Sequence, residues 1–306
     1  MKKVSIVFTA LFLVIGMAES LASSSYNQVF STDNSAGKID AKSIEKAFNA
    51  SGMHVDVNND MNSIFEKRYK KVHHKSYNLA IFTNNELVTK LIKKHPSIGL
   101  ITPLSMSIFL DEKNRINVST LSLKGMARIT KIPETNPDLV KYAAMLDAAL
   151  HKALPNGSYL TPKNSAKSSD KQLVTAFTTE FEPEDGETYV DLKDGFKEEF
   201  ESEIATVGFL VPKSYTLETD DYDFFDTYSI IRFNVIFPVS KNHPDAGSYA
   251  PFSLAIYKKK GDDTVHVAYP SIDNWINDLG ITDEEAIKEV KKTQGMISGI
   301  LEELTE

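Results

Sequence analysis

Cysteine is absent from the 306 residues and tryptophan occurs once. A chain without a thiol forms no disulfide, no thiolate zinc site, no c-type haem linkage and no thiol nucleophile. Its fold must rest on apolar burial, and 42% apolar residues suffice for two ordinary domains. The short signatures of common catalysis are missing too. There is no Walker loop, G-x-S-x-G, H-E-x-x-H or G-x-G-x-x-G, and no S-x-x-K accompanied by its partner motifs. Carboxylates are plentiful, but no pair has a spacing that points to acid–base work. Basic residues are outnumbered, 34 against 42, for a net charge of −8. Nucleic acid is therefore not an expected partner, because phosphate contacts need clustered Lys and Arg.

Long apolar runs are confined to the N-terminus. Met1-Lys2-Lys3 precedes an apolar run from Val4 to Met17, followed by Ala18-Glu19-Ser20-Leu21-Ala22. A basic start, a short apolar core and a small-x-small site predict a secretory signal over residues 1–22, cut after Ala22. The run is too short to cross a bilayer, and no Cys follows it for lipid attachment. Losing Lys2, Lys3 and Glu19 leaves 32 basic against 41 acidic residues. The expected product is a soluble periplasmic or secreted protein with no membrane span.

Composition then divides the chain. Residues 23–39 are rich in Ser, Asn, Asp and Gly and are expected to form a flexible leader. A second such stretch, from Pro155-Asn156-Gly157-Ser158 to Ser168-Ser169, is expected to open a linker over residues 155–189. Two domains are thus expected, at 40–154 and 190–306.

The two halves repeat. His95-Pro96, Gly99, Pro103 and Ser105 recur as His243-Pro244, Gly247, Pro251 and Ser253, each 148 residues later without a gap, and Phe109 meets Tyr257. One inserted residue later, Ile116-Asn117-Val118 matches Val265-His266-Val267. In each half two alternating segments read as a hairpin, 104–110 with 116–121 and 252–257 with 264–269. Each half opens with a helix, at 41–50 and 192–205, and closes with one, at 137–154 and 282–304. The last is expected to start with a capping box at Thr282–Glu285. A strand is expected before each hairpin, at 77–82 and 229–237, with an extra helix at 85–94 in the first half only. Hairpins joined to flanking helices, without a βαβ rhythm, predict an α+β fold. In it two tandem repeats, each an antiparallel sheet with helices on one face, form a pseudo-dimer.

At the duplicated His-Pro…Gly…Pro…Ser segment the chain resembles the DUF302 family, a domain of unknown function, over about 40–154 and 190–304. Tyr222-Asp223-Phe224-Phe225-Asp226-Thr227-Tyr228-Ser229, Asn242-His243-Pro244 and Asp273-Asn274-Trp275-Ile276 look particularly like its exported members. The resemblance implies a small α+β domain that tends to pair. Many members carry a Cys where this chain has Leu104 and Phe252, so a role resting on that thiol does not transfer.

Several residues are candidates for chemistry, each with two readings. His95 and His243 could converge as metal ligands or proton carriers, or each could build the turn before its strand. His73-His74, within the basic run Lys67–Lys75, reads as an anion site or a solvated face. Tyr222, Asp226 and Tyr228 read as a cation or ligand site, or as an edge-strand entry. Ser253 and Tyr257 fall on the duplicated segment, and Trp275 reads as a core anchor or a ligand platform. The expected function is an exported, non-catalytic binding or interaction protein with a cleft at the inter-repeat seam. Its partner would be a small molecule or an envelope protein, and the chain a monomeric pseudo-dimer or a homodimer. The alternative is a metal- or redox-associated accessory protein or enzyme using His95 and His243. The cofactor and any catalytic residues are left unassigned by the sequence.

Overall fold

The computed structural model describes residues 25–162 and 172–306, so the expected signal at 1–22 lies outside the described residues. The first half contains β1 (Asn27–Asp33), α1 (Ala41–Asn49), β2 (His54–Asp60), α2 (Met61–Tyr69), β3 (Tyr77–Thr83) and α3 (Asn85–Ile92). It continues with β4 (Leu104–Leu110), β5 (Arg115–Leu121), α4 (Leu123–Thr130), α5 (Pro137–Ala153) and the two-residue β6 (Ser158–Tyr159). The second half contains β7 (Val174–Glu180), α6 (Tyr189–Thr206), β8 (Leu210–Thr216), β9 (Tyr222–Ile231) and α7 (Phe233–Asn242). β10 (Phe252–Lys259), β11 (Thr264–Pro270), α8 (Asp273–Leu279) and α9 (Glu284–Thr305) complete it. Short 3-10 turns at Pro96–Ile101 and Pro244–Ser248 lead into β4 and β10.

The sheets run β2-β3-β4-β5-β1-β6 and β8-β9-β10-β11-β7, and every pairing is antiparallel. Strand for strand the two orders agree, with β6 the addition. Local signals agree as well. α1 and α6 each start behind a capping box, at Asp40 and Thr188, 148 residues apart. Thr102–Pro103 and Ala250–Pro251 are both cis.

Alternation along the strands sorts side chains onto two faces. In the first sheet Phe30, Phe82, Met106, Ile108, Ile116 and Val118 face α1 and α5, where Phe48 meets Phe82 edge to face at 5.2 Å. In the second, Phe224, Tyr228, Ile230, Leu254, Ile256, Val265 and Val267 form a buried cluster with Phe200 and Ile204 of α6 and Ile297 and Leu301 of α9. The opposite face of each sheet meets the other repeat.

Several expectations are corrected here. Residues 27–33 are not part of a flexible leader but the strand β1, paired with β5 along its length. β7 occupies residues 174–180 of the expected linker and pairs with β11. The extra helix of the first half is not extra: α3 begins at 85 and α7 at 233, again 148 apart, where the sequence predicted a strand to 237. Val235, Ile236 and Val239 give α7 a buried face even with Pro238 inside it. The last helix is capped by Asp283, which accepts from the Ala286 amide, rather than by Thr282. β9 is an inner strand, not an edge, because β8 covers it. The real asymmetries are α2, present in the first half alone, and α6, twice the length of α1.

Candidate functional site

The duplicated segment builds the seam. Each 3-10 turn lies on the other repeat's sheet, the first over β10 and the second over β4 and β5. A Cβ built on Gly99 would lie 2.7 Å from the Ala255 Cβ, and one on Gly247 would lie 2.4 Å from the Ser107 Cβ. Ser107 and Ala255 are themselves 148 residues apart, so the contact is isologous: each glycine sits on the other's partner strand. The seam faces carry small polar side chains because the turns bring carbonyls to them. Ser107 Oγ donates to the Pro244 carbonyl (2.7 Å), Ser119 Oγ to that of Asp245 (2.9 Å) and Ser253 Oγ to that of Pro103 (2.7 Å). Buried bonds of this kind contribute about 1 kcal/mol each.

A second contact joins the halves through α2 and α7. Tyr69 stacks on Phe237 at 4.1 Å, Phe65 meets it edge to face at 5.0 Å, and His73 lies 4.4 Å from it. Arg68 lies over Phe233, and His74 Nε2 donates to the Ser240 carbonyl (2.7 Å). The run 67–75, expected to be a solvated face or an anion site, instead gives Arg68, Tyr69, His73 and His74 to an inter-repeat clasp. Burial pushes both imidazoles below the usual histidine range, and the neighbouring Lys71 and Lys241 act the same way on His73.

At one end of the seam lies a cavity of about 400 Å³. Its walls come from β1, the β4–β5 hairpin, the turn at 243–245, the end of α8 and residues 160–162, so both repeats line it. Phe109, Val29 and Leu160 supply apolar wall, and Asn27, Asn117, Asp111, His243, Asp245 and Asp278 supply polar groups. Asp245 accepts from Asn27 Nδ2 (3.1 Å). Asp278 accepts from Ser25 Oγ (3.0 Å), the Tyr26 amide (3.1 Å) and Tyr249 OH (2.7 Å). Burial holds the Asp278 carboxyl above the ordinary carboxylate range despite these donors. Asn117 is 1% exposed, and its Nδ2 reaches the carbonyls of Arg115 and Phe109. Its Oδ1 has no partner among the described residues. A second space, under Trp275 and lined by Ile231, Val235, Phe252 and Val290, measures about 40 Å³. It has room for a few waters and is apolar, a packing gap rather than a ligand site.

The sequence-predicted residues are scattered relative to this cavity. Only His243 lines it. His95 lies beside α5, its Nε2 3.3 Å from Asn136 Nδ2. Tyr222 donates to the Ile92 carbonyl across the seam (2.7 Å). Asp226 faces the helices and is held by Lys197 at 2.7 Å and Lys193 at 3.5 Å, while Tyr228 donates to Glu201 (3.0 Å). Tyr257 stacks between Phe225 (5.0 Å) and His266 (4.9 Å), and Ser253 is spent on the Pro103 carbonyl. Trp275 stacks with Tyr249 at 6.1 Å as a core anchor. No group of three or more His, Cys, Asp or Glu able to hold a metal occurs among the described residues. Asn27, Asn117, Asp245 and Asp278 escaped sequence reasoning, because they come from four separate stretches with no shared spacing. The Tyr257 and His266 that match Phe109 and Asn117 stack on each other, so the cavity wall is not duplicated.

The fold and site define a tandem α+β protein closed around its own pseudo-symmetric seam. Residues 40–153 match the model of the family described as "Domain of unknown function DUF302". Among solved structures, the crystal structure of an uncharacterized conserved protein DUF302 from Bacillus stearothermophilus is similar at 13% identity and a TM-score of 0.34, covering 44% of this chain and 100% of that one. No curated protein matches the chain. Among the described residues no helix is long and apolar enough to cross a membrane.

Proposed function

We propose that the chain is an exported, non-catalytic binding protein in which two DUF302-like copies, the second at residues 190–306, enclose a small-molecule site at their seam. The observation that carries this reading is the cavity of about 400 Å³ lined from both repeats, a volume in the range of ligand sites. Matching strand orders and the 148-residue register support the second copy. The basic-apolar-small pattern of residues 1–22 supports export to the periplasm or medium. Asp245 and Asp278 accept from neutral donors and Asn117 Nδ2 donates to backbone carbonyls, so these polar groups are held in place around the cavity as a binding site needs.

A thermal-shift screen of the purified protein against a broad small-molecule set tests this. A ligand at a hundred times its Kd stabilises by about 2.7 kcal/mol, an easily read rise in Tm. That rise should vanish in Leu160→Trp, which fills the cavity from its exposed rim. A screen in which nothing moves Tm by more than about a degree refutes the reading.

A further inference from the structure

We propose that β7 is the contact through which two copies of this chain pair, strand against strand, in an antiparallel two-fold ribbon. The contact is separate from the seam cavity and does not depend on what that cavity binds. β7 ends its sheet: β11 lies on one side, and no strand lies on the other among the described residues. Alternate residues of such a strand direct N–H and C=O groups outward, a template for another strand.

The other sheet edges carry the usual obstacles to pairing. β2 is broken by a register shift between Val55 and Val57, and Asp56 between them accepts from Tyr215 OH of β8 (2.7 Å). β8 has a shift between Leu210 and Lys213 and contains Pro212, which has no N–H to offer. β1, the counterpart of β7 in the first repeat, is covered by the short β6 and by the Leu160 amide, which donates to the Val29 carbonyl. β7 has none of these devices. It pairs with β11 along its whole length without a shift and contains no Pro, Lys or Arg, and Ala176 and Thr178 are exposed. An edge left flat and open, where the fold blocks or covers the others, is suited to receive a strand.

The residues of β7 select a second copy as that strand. In an antiparallel pairing centred on Phe177, Thr175 opposes the second copy's Thr179, Ala176 opposes its Thr178, and the two Phe177 rings oppose each other. Opposed Thr–Thr and aromatic pairs favour such a ribbon. Glu180, the only charged residue of the strand, meets Val174 rather than its own copy. Phe177 packs on the apolar cluster beneath α6 and α9, so that face continues from one copy into the other. The contact is isologous, as a two-fold dimer requires.

Sedimentation velocity of the purified protein over a range of concentrations tests the proposal. The parent should pass from monomer to dimer as concentration rises. Ala176→Lys combined with Thr178→Lys sets Lys opposite Lys twice across the two-fold and should weaken dimerisation at least about tenfold. Ala176→Glu combined with Thr178→Glu should do the same, and mixing the Lys and Glu proteins should restore a dimer. The chain has no cysteine of its own, so oxidative cross-linking reads the register independently. A mixture of Ala176→Cys and Thr178→Cys chains should form a covalent dimer and neither variant alone should, because only the mixed pair stands directly opposite. A parent that stays monomeric overturns the proposal. So does a dimer that both charged variants leave intact, or cross-linking no greater in the mixture than in each variant alone.

Discussion

Gly247→Ala is the most direct test of the seam. The glycine has no left-handed backbone that would require it, so the effect is steric alone. An added Cβ would sit 2.4 Å from the Ser107 Cβ, 2.5 Å from its N and 2.7 Å from its Cα. Two of these three atoms are backbone in the middle of a sheet, which cannot turn aside as a side-chain end can. Overpacking of a well-packed interior costs about 1–3 kcal/mol, and this geometry belongs at the upper end. At about 2–4 °C of Tm per kcal/mol for a domain of some 200 residues, the expected fall is roughly 6–12 °C. Gly99→Ala meets side chains instead, the Ala255 Cβ at 2.7 Å and Phe225 ring atoms at 3.1 Å, so it should cost less, about 1–2 kcal/mol. Ala255→Gly should recover part of that loss, since the two residues touch and their effects cannot be additive. Gly299→Ala, in α9 with nothing within 4 Å of the added Cβ, should be neutral or stabilising by up to about 1 kcal/mol. Urea and thermal unfolding read all four variants. If Gly247→Ala lies within 0.5 kcal/mol of the parent, about the ordinary spread of surface substitutions, the reciprocal seam is wrong.

Two further expectations concern charge. Asp226, fully buried, anchors Lys193 and Lys197. Asp226→Asn should cost about 3 kcal/mol by leaving the largely buried Lys197 ammonium unpaired, while Lys193 keeps Asp194 at 3.2 Å, and a loss under about 1 kcal/mol in urea would show that solvent compensates Lys197. His73 contributes a pH dependence. Its pKa is lowered in the fold by burial first, then by His74, Lys71 and Lys241, from an ordinary 6.5. Below pH 6.5 the unfolded chain takes up the proton more readily than the folded one, so the clasp's contribution is complete above that pH and declines beneath it. His73→Phe, which keeps the ring on Phe237, should flatten the fall in Tm between pH 7 and 5. Parallel profiles for the two proteins would remove His73 from the account.

The misreadings have physical causes. β1 looked like a leader because one of its faces carries Asn27 and Ser31 toward the seam, so the apolar alternation of a half-buried strand is missing. α7 looked like a strand because Phe233, Val235, Ile236, Phe237 and Val239 are aromatic or β-branched and Pro238 interrupts them. Its place against α9 and the clasp from α2 override that propensity. Of the two readings of the His-Pro segments, the turn is visible in the 3-10 turns they open and in the close approach at Gly99 and Gly247.

The sequence by itself determined the duplication, the hairpins, the closing helices and the α+β class, because each is written in local periodicity or in a fixed 148-residue register. Only the tertiary structure decided that the two sheets face each other through surfaces mixing small polar side chains such as Ser107, Ser119 and Ser253 with apolar ones such as Leu79, Phe109, Phe225 and Ala255. Only it brought Asn27, Asn117, Asp245 and Asp278 to one cavity wall. Those residues lie far apart along the chain, and their proximity follows from the pairing of two sheets, which no local pattern records.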